Sequence, residues 1–455
     1  MFNGLKRLWE GIKSMFTTTE IQRIVGRDVA LSERMIKSIE LWNSMLNGTA
    51  PWNDRAPAIG VEIGIVREFA DAVLNEMEAK VEDNDNLDNL FQEAIKDLNE
   101  NLQDGLALGS FIIKPLLSGG VEYVNADKFI PIEFNDKGGV DDCLFIQHKR
   151  TGEYEHYFRC ERHTLTDKGL RITNKAYRST SYSNLGTQIS LTSVSGWEDY
   201  PEEIIYSGMD KMDFGFYKNP IKNRVDGSPC GVSIYSNPAA INNIKRADIQ
   251  GARIDWEYES GERAIHTDER ALRYDGNRNT YGLPKLDHRL YRGLNIDTGN
   301  GDLFKEYSPE MRNAAFIEGL ETYYRMIEFN VGLAYGDLSD TQQVDKTATE
   351  IKSAKQRKYN RVTAIQENLK SCLEGLVDAL AFYSASYTSG YTFICNFNDS
   401  ILTDEETERN QDRQDVSMGV QRPEEYRAKW YGEDIETAKN NLPEQTGLLD
   451  NLNLR

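Results

Sequence analysis

Residues 345–383 read DKTATEIKSAKQRKYNRVTAIQENLKSCLEGLVDALAFY, and this stretch decides the architecture. Ile351, Ala354, Val362, Ile365, Leu369, Cys372, Leu376 and Leu380 recur at three- and four-residue steps, the period of one helix face. Thr347 and Glu350 stand at capping-box spacing, which sets the start. Continued to Tyr383 at ~1.5 Å per residue, the helix is roughly 55 Å long. Gly375 is the position where it would kink. A compact enzyme domain rarely needs such a rod, so this one is expected to span something.

Two further rods precede it. Ser308-Pro309 reads as N-cap and first-turn proline, and Ala314, Ile317, Leu320, Tyr324, Ile327, Val331 and Ala334 keep the helical period. Asn237-Pro238 opens another, with a seam of mostly small residues (Ala240, Ile244, Ala247, Gly251, Ile254, Tyr258) that lets a neighbouring helix approach closely. Between the two lies a β-like insertion, Glu262 to Tyr307, so the economical geometry is an antiparallel helix pair with a small module at its tip. Tyr335 to Lys346 is a polar connection with a stop at Gly336.

Upstream, helical patterns cover Leu31–Asn47, Gly60–Lys80 and Leu87–Leu108. From Phe111 the period changes to two, with runs at Phe111, Val121, Phe129, Cys143 and Tyr154 separated by glycine-containing turns, the pattern of an antiparallel sheet built from hairpins. This gives an α+β body through about Tyr235. Tyr391–Phe397 alternates in the same way and is expected to rejoin that sheet. Thr403 to Pro443 reads as three short helices, with a Thr403/Glu406 capping box, stops at Gly419 and Gly432, and a start at Pro423. Thr446 to Arg455 reads as a frayed end. Phe2, Leu5, Leu8, Trp9, Ile12, Met15 and Phe16 form an apolar stripe opposite Lys6, Arg7 and Lys13, which suits docking on a neighbouring subunit or lying on a membrane surface.

Composition narrows the function. The 53 basic and 73 acidic residues leave a net charge of −20, which argues against a protein that wraps nucleic acid by neutralising phosphates. Five scattered cysteines (Cys143, Cys160, Cys230, Cys372, Cys395) do not suggest a disulfide framework and fit a reducing compartment. No run approaches the ~20 apolar residues of a membrane span, and no secretory segment follows Met1, so a soluble protein made in the cytoplasm is expected. Phosphate-cradling, dinucleotide, zincin and nucleophile-elbow motifs are missing from the sequence, so no enzyme activity and no cofactor are expected. Cys143, His148, His156, Cys160 and His163 have zinc-binding residue types, but their spacings match no standard site, and on straight strands His163 points away from His156 and Cys160. Lys346, Lys352, Lys355, Arg357, Lys358 and Arg361, with only Glu350 among them, place cations where they oppose the helix macrodipole. Two readings stay open for them: a solvated face pairing with an acidic neighbouring subunit, or a surface beside a DNA phosphate path.

In order along the chain, Leu106-Ala-Leu-Gly-Ser-Phe-Ile-Ile-Lys-Pro, Asn125-Ala-Asp-Lys-Phe-Ile-Pro-Ile, Gly231-Val-Ser-Ile-Tyr-Ser-Asn-Pro, Phe316-Ile-Glu-Gly-Leu and Glu328-Phe-Asn-Val-Gly-Leu-Ala-Tyr-Gly-Asp-Leu-Ser are followed by Lys346-Thr-Ala-Thr-Glu-Ile-Lys, Phe397-Asn-Asp-Ser-Ile and Gly419-Val-Gln-Arg-Pro-Glu-Glu-Tyr-Arg. Taken together these stretches resemble portal proteins of long-tailed double-stranded DNA phages. The resemblance covers nearly the whole chain and rests on the order of the pieces, none of which is an active-site motif.

The resemblance implies a homo-oligomeric ring of about twelve subunits at one capsid vertex of the virion, through which double-stranded DNA passes non-specifically. Residues 1–235, with a strand at 389–402, would form the wing, and 236–260 and 308–334 the two stem helices. The clip would be 261–307, meeting the terminase large subunit and later the head-completion adaptor, with Arg263, Arg270, Arg273 and Arg278 as docking residues. Residues 335–346 would be the tunnel loop, presenting Asp337, Asp340, Gln342, Gln343, Asp345 and Lys346 to the DNA. Residues 347–388 would be a long wing helix whose Lys352, Lys355, Lys358 and Arg361 form the basic face. The crown would be 403–443, the tail 444–455, and the capsid or scaffold protein a further partner, with no membrane involved. Circular repetition would turn Asp337, Asp340 and Asp345 into acidic rings that repel phosphate and keep a duplex sliding. The alternatives are another ring-forming virion or head-tail connector protein, a carboxylate hydrolase, and a peripheral membrane protein using the Met1–Phe16 helix.

Overall fold

A computed structural model describes residues 18–116, 119–152, 154–182, 184–262, 264–268, 273–275, 280–282, 291–294, 304–340, 348–384, 390–397 and 405–442. The expected N-terminal stripe, the caps at Thr347 and Thr403 and the 446–455 tail lie outside the described residues. The described chain is mixed helix and sheet, as the α+β expectation requires. It divides into two compact units, one of residues 1–75 and 79–395, the other of 76–78 and 396–455. Among the described residues no helix is long and apolar enough to cross a membrane.

The first unit begins with helices α1 (Thr18–Val25), α2 (Glu33–Leu46) and α3 (Val61–Leu74), strand β1 (Met77–Glu82), then α4 (Asp85–Ala94) and α5 (Leu98–Leu108). Ser32 caps α2 through a hydrogen bond from Met35 N, and Met35, Ile36, Ile39, Trp42 and Met45 form its buried face. Two expectations are corrected here. The pattern over Gly60–Lys80 ends as a helix at Leu74, and its last residues are strand. The pattern over Leu87–Leu108 is two helices, because Asn84 caps α4 and the chain turns at Ile95 before α5.

Strands follow as β2 (Ser110–Pro115), β3 (Val121–Asn125), β4 (Phe129–Phe134), β5 (Val140–Gly152), β6 (Glu155–Thr166), β7 (Gly169–Ser179), β8 (Thr187–Ile189), β9 (Glu203–Tyr206) and β10 (Gly215–Lys218). They form two sheets, a three-stranded one of order β10-β2-β3 and a larger one of order β4-β5-β6-β7-β8 with β9 also on β7. The pairs within both are antiparallel, as the hairpin pattern implies. Two of the stretches that carry the family resemblance meet at the first sheet. Gly109, at φ +100°, lies against Gly231, where an added Cβ would come within 2.6 Å of the Gly231 carbonyl carbon. Ile234 N donates to Leu106 O at 2.9 Å beside this contact.

The first rod is α6 (Pro238–Ser260), capped by Asn237 as its sequence suggests. Beyond it come β11 (Ala264–Asp268), β12 (Arg273–Asp275), β13 (Thr280–Gly282), β14 (Tyr291–Leu294) and β15 (Phe304–Tyr307). β11 lies between a parallel β14 and an antiparallel β15, and β12 pairs with β13. The second rod, α7 (Asn313–Val331), starts five residues after Ser308 and stops short of Ala334. Arg312 sets the start by giving its backbone N–H and guanidinium to Glu257 of α6 (2.8 and 2.7 Å), and Gly332 at φ +96° ends the helix. Contacts of Asn237 with Asn330 (3.1 Å), Gln250 with the Phe316 carbonyl (2.9 Å) and Glu257 with Arg312 run oppositely along the two helices, so α6 and α7 are an antiparallel pair.

The decisive stretch forms α8 (Ala348–Tyr383), 36 residues without interruption and so roughly 54 Å long. Val362, Ile365, Leu369, Cys372, Leu376 and Leu380 are buried along one stripe, against β2, β10, α3 and α4. Gly375 is continuous with the helix and serves a close approach: an added Cβ would touch the backbone at Phe214 and Gly215 (3.4 and 3.5 Å). β16 (Thr392–Phe397) does not rejoin the hairpin sheet; it pairs with β1. Phe393 rests edge-on against Phe91 of α4, 5.5 Å between centroids, which carries this strand to the helical side. All five cysteines are buried and unpaired with one another.

The second unit holds α9 (Glu405–Ser417), α10 (Pro423–Tyr431) and α11 (Ile435–Asn440), at the three places expected. Polar contacts join them: Asp412 accepts from Lys429 and Trp430 (both 2.8 Å), and the Tyr426 hydroxyl takes Arg413 Nε at 2.9 Å. Gly419 (φ +77°) and Gly432 (φ +66°) turn the chain after α9 and α10.

Candidate functional site

The connection after α7 is built around one carboxylate. Glu328, in the last turn of α7, is fully buried. Its Oε1 accepts the backbone N–H groups of Gly336 (3.1 Å), Leu338 (2.7 Å) and Ser339 (2.8 Å), and its Oε2 accepts the Ser339 hydroxyl at 3.0 Å. A loop that would otherwise bury three unpaired donors is thereby folded onto the helix that precedes it. Asp337 adds a second brace. Its Oδ2 accepts Ala334 N at 2.9 Å and pairs with Lys358 Nζ of α8 at 3.0 Å, while Lys358 also reaches Glu68 of α3 at 3.4 Å. One lysine thus ties loop, long helix and α3 together.

Two of the expected site residues turn out to be paired within this chain. The Asp337 side chain is mostly covered and charge-compensated by Lys358. The basic face of α8 is not uniformly solvated, since Lys358 is turned into its own subunit by Asp337 and Glu68, and Arg361 lies against Gly332. Arg357 stacks over Phe329 and Tyr335 (5.0 and 5.3 Å), leaving Lys355 exposed. Asp340 is exposed at the end of the described loop, its backbone N–H held by Glu321 at 2.8 Å. Gln342, Gln343, Asp345 and Lys346, with the side chain of Lys352, lie outside the described residues. So do Arg263, Arg270 and Arg278; Arg273 falls on β12.

A second clamp holds the middle of α6. Asp248, completely buried, accepts Trp52 Nε1 (2.7 Å), Asn53 Nδ2 (3.2 Å) and Ile59 N (3.0 Å). Glu62, in the first turn of the helix that this segment leads to, is also buried, and its Oε2 has no hydrogen-bond partner. Burial, together with the nearby Asp248 charge and against a hydrogen bond from its own backbone, pushes the Glu62 carboxyl up to about 7. The folded chain therefore holds a proton that the unfolded chain releases near pH 4.5, so this site's stabilisation is complete below that pH and is lost as pH rises through about 7. Glu62→Gln is expected to add roughly 1–3 kcal/mol at pH 8 and almost nothing at pH 4, measured by urea unfolding at the two pH values. Equal effects at both would contradict the buried-proton account.

The Cys/His group splits apart. His148 and His156 stack at 3.0 Å between Nε2 and Nδ1, and burial lowers both their pKa values, that of His148 to about 4. His163 points to the opposite face of β6, where Nδ1 meets Asp213 and Nε2 meets Glu161, each at 2.7 Å. Glu161 also takes Lys114 (2.9 Å) and Arg159 (2.6 Å), and Asp213 accepts the Tyr383 hydroxyl of α8 at 2.6 Å. Among the described residues no three His, Cys, Asp or Glu side chains are placed to hold a metal ion.

Sequence reading missed Glu328, Asp248 and this His163 network. Glu328 did leave a signal: an acid in the last turn of a helix opposes the macrodipole and needs donors from elsewhere. No family model matches this sequence, and no curated protein matches it.

Proposed function

We propose that the chain is the subunit of a portal ring, the channel at one capsid vertex through which double-stranded DNA is packaged and ejected. The observation that carries this reading is the α6–α7 pair. Over its 19 residues α7 buries only Ile327, Glu328 and Val331, while Ile317, Met326 and Phe329 are exposed on it and Trp256 and Tyr258 on α6. Trp256 is 66% and Phe329 60% accessible, so large apolar side chains stand in solvent on this pair. Neighbouring copies around an axis would cover these groups, and a heterologous contact that closes by rotation gives a ring.

In this reading the braced loop reaches the bore at Asp340. Repetition around the ring makes Asp340 an acidic circle that keeps phosphates from adhering. The β11–β15 module would meet the terminase large subunit and the head-completion adaptor, and α9–α11 the capsid interior. Asp340→Lys is the test, because Asp340 is the exposed acid at the end of the described loop. Capsids assembled with that variant should hold severalfold less DNA while rings remain intact. Unchanged DNA content with intact rings would contradict the channel assignment.

A further inference from the structure

The three contacts that align α6 with α7 also fix which residues lie at the same height. Counting from Gln250 beside Phe316 and Glu257 beside Arg312, Lys245 stands level with Glu321, Ile249 with Ile317 and Glu318, and Trp256 with Met311. Helical spacing places Lys245, Ile249, Ala252 and Trp256 along one edge of α6, on the side away from Gln250 and Glu257 and hence away from α7. On α7, Ala314, Ile317, Glu318, Glu321 and Arg325 share the edge opposite Gly319, the residue that faces Gln250. The pair thus carries an apolar strip with a cation on one outer edge and an apolar strip with two acids on the other. Lys245 is exposed, with its ammonium 5.9 Å from the Trp52 ring, and Trp256, Ile317 and Glu318 are exposed as well.

From this we infer that a second copy of the chain docks edge to edge, α6 of one subunit on α7 of the next, with Lys245 facing Glu321 and Glu318 and Ile249 facing Ile317. The inference rests on the ring reading, since rotation about an axis along the helices preserves height. At constant height the opposite charges coincide, Trp256 falls within about a turn of the small Ala314, and Ala252 leaves room for Ile317. Both edges are used once per subunit, so the contact repeats until the ring closes. Within one chain the two edges face opposite ways, which excludes an intramolecular contact between Ile249 and Ile317.

The test is oxidative cross-linking of the purified full chain. Ile249→Cys with Ile317→Cys in one chain should give a ladder of disulfide-linked multimers under mild oxidation, and either substitution alone should give none. The five native cysteines are buried, so the ladder reports the introduced pair. Independently, Lys245→Glu should raise the concentration needed for assembly about tenfold, because it sets like charges against each other at every interface. Rings that form normally in Lys245→Glu and give no ladder in the double variant would overturn this contact and leave the ring reading standing. A wild-type chain that forms no ring at any concentration would overturn both.

Discussion

His163→Ala is expected to lower the unfolding free energy by roughly 3–5 kcal/mol, the range for breaking a buried ion pair by removing one partner. The side chain is buried between two carboxylates, so its loss leaves Asp213 without its cationic partner and cuts the tie between β6 and the end of α8. Burial alone would keep the imidazole neutral, but Asp213 and Glu161 outweigh it and push its pKa up to about 9. The same contacts, against burial, hold Asp213 below and Glu161 well below the usual carboxylate range. Because the folded value exceeds the unfolded one, the histidine's contribution is fully present below about pH 6.5 and disappears as pH rises through about 9. The deficit of His163→Ala should therefore be large at pH 6 and much smaller at pH 10. Chemical denaturation across that range measures it, and a deficit independent of pH would mean that only the cavity matters.

Glu328→Ala is the second large effect. Three backbone N–H groups and the Ser339 hydroxyl lose their acceptor inside a partly buried loop, at about 1–3 kcal/mol for each group left unpaired, so a total of roughly 3–5 kcal/mol is expected after partial rehydration. Glu328→Gln keeps one acceptor oxygen and should fall between the variant and the wild type. Hydrogen exchange separates this from a general loss of packing: the amides of Gly336, Leu338 and Ser339 should exchange much faster, while those of α8 near Leu369 and Cys372 follow only the global change. Unchanged protection at the three loop amides would remove Glu328 from its assigned role.

How much of this was legible beforehand follows from what periodicity detects. Apolar spacing identifies α8, whose buried stripe from Val362 to Leu380 appears where the three- and four-residue steps put it. Proline and asparagine at the start of α6 mark a real cap, and the glycine turns mark the hairpins. Periodicity cannot say which strand a distant segment joins. Thr392–Phe397 alternates like a member of the hairpin sheet, yet Phe393 settles on Phe91 and the strand pairs with β1. Nor can it see a buried charge. Lys358 in a run of cations looks solvated until Asp337 and Glu68, distant in the chain, are folded beside it. The start of α7 moved for a similar reason, because Glu257 at the end of α6 claims Arg312 and outweighs the local signal of Ser308-Pro309.

These braces share one consequence. Asp248, Glu328 and Lys358 fix helices to neighbouring loops and helices, and His163 ties β6 to the end of α8, while α6 and α7 keep Trp256, Ile317, Met326 and Phe329 in solvent. On the proposed ring reading, the exposed apolar side chains of this helix pair are what neighbouring copies would cover. Electron micrographs of the purified full chain, taken at several concentrations, test this most directly. The account predicts closed rings of about twelve copies with an open centre, the helix pairs side by side around the bore. A chain that stays a monomer at high concentration, or assembles into particles without a central opening, would contradict it.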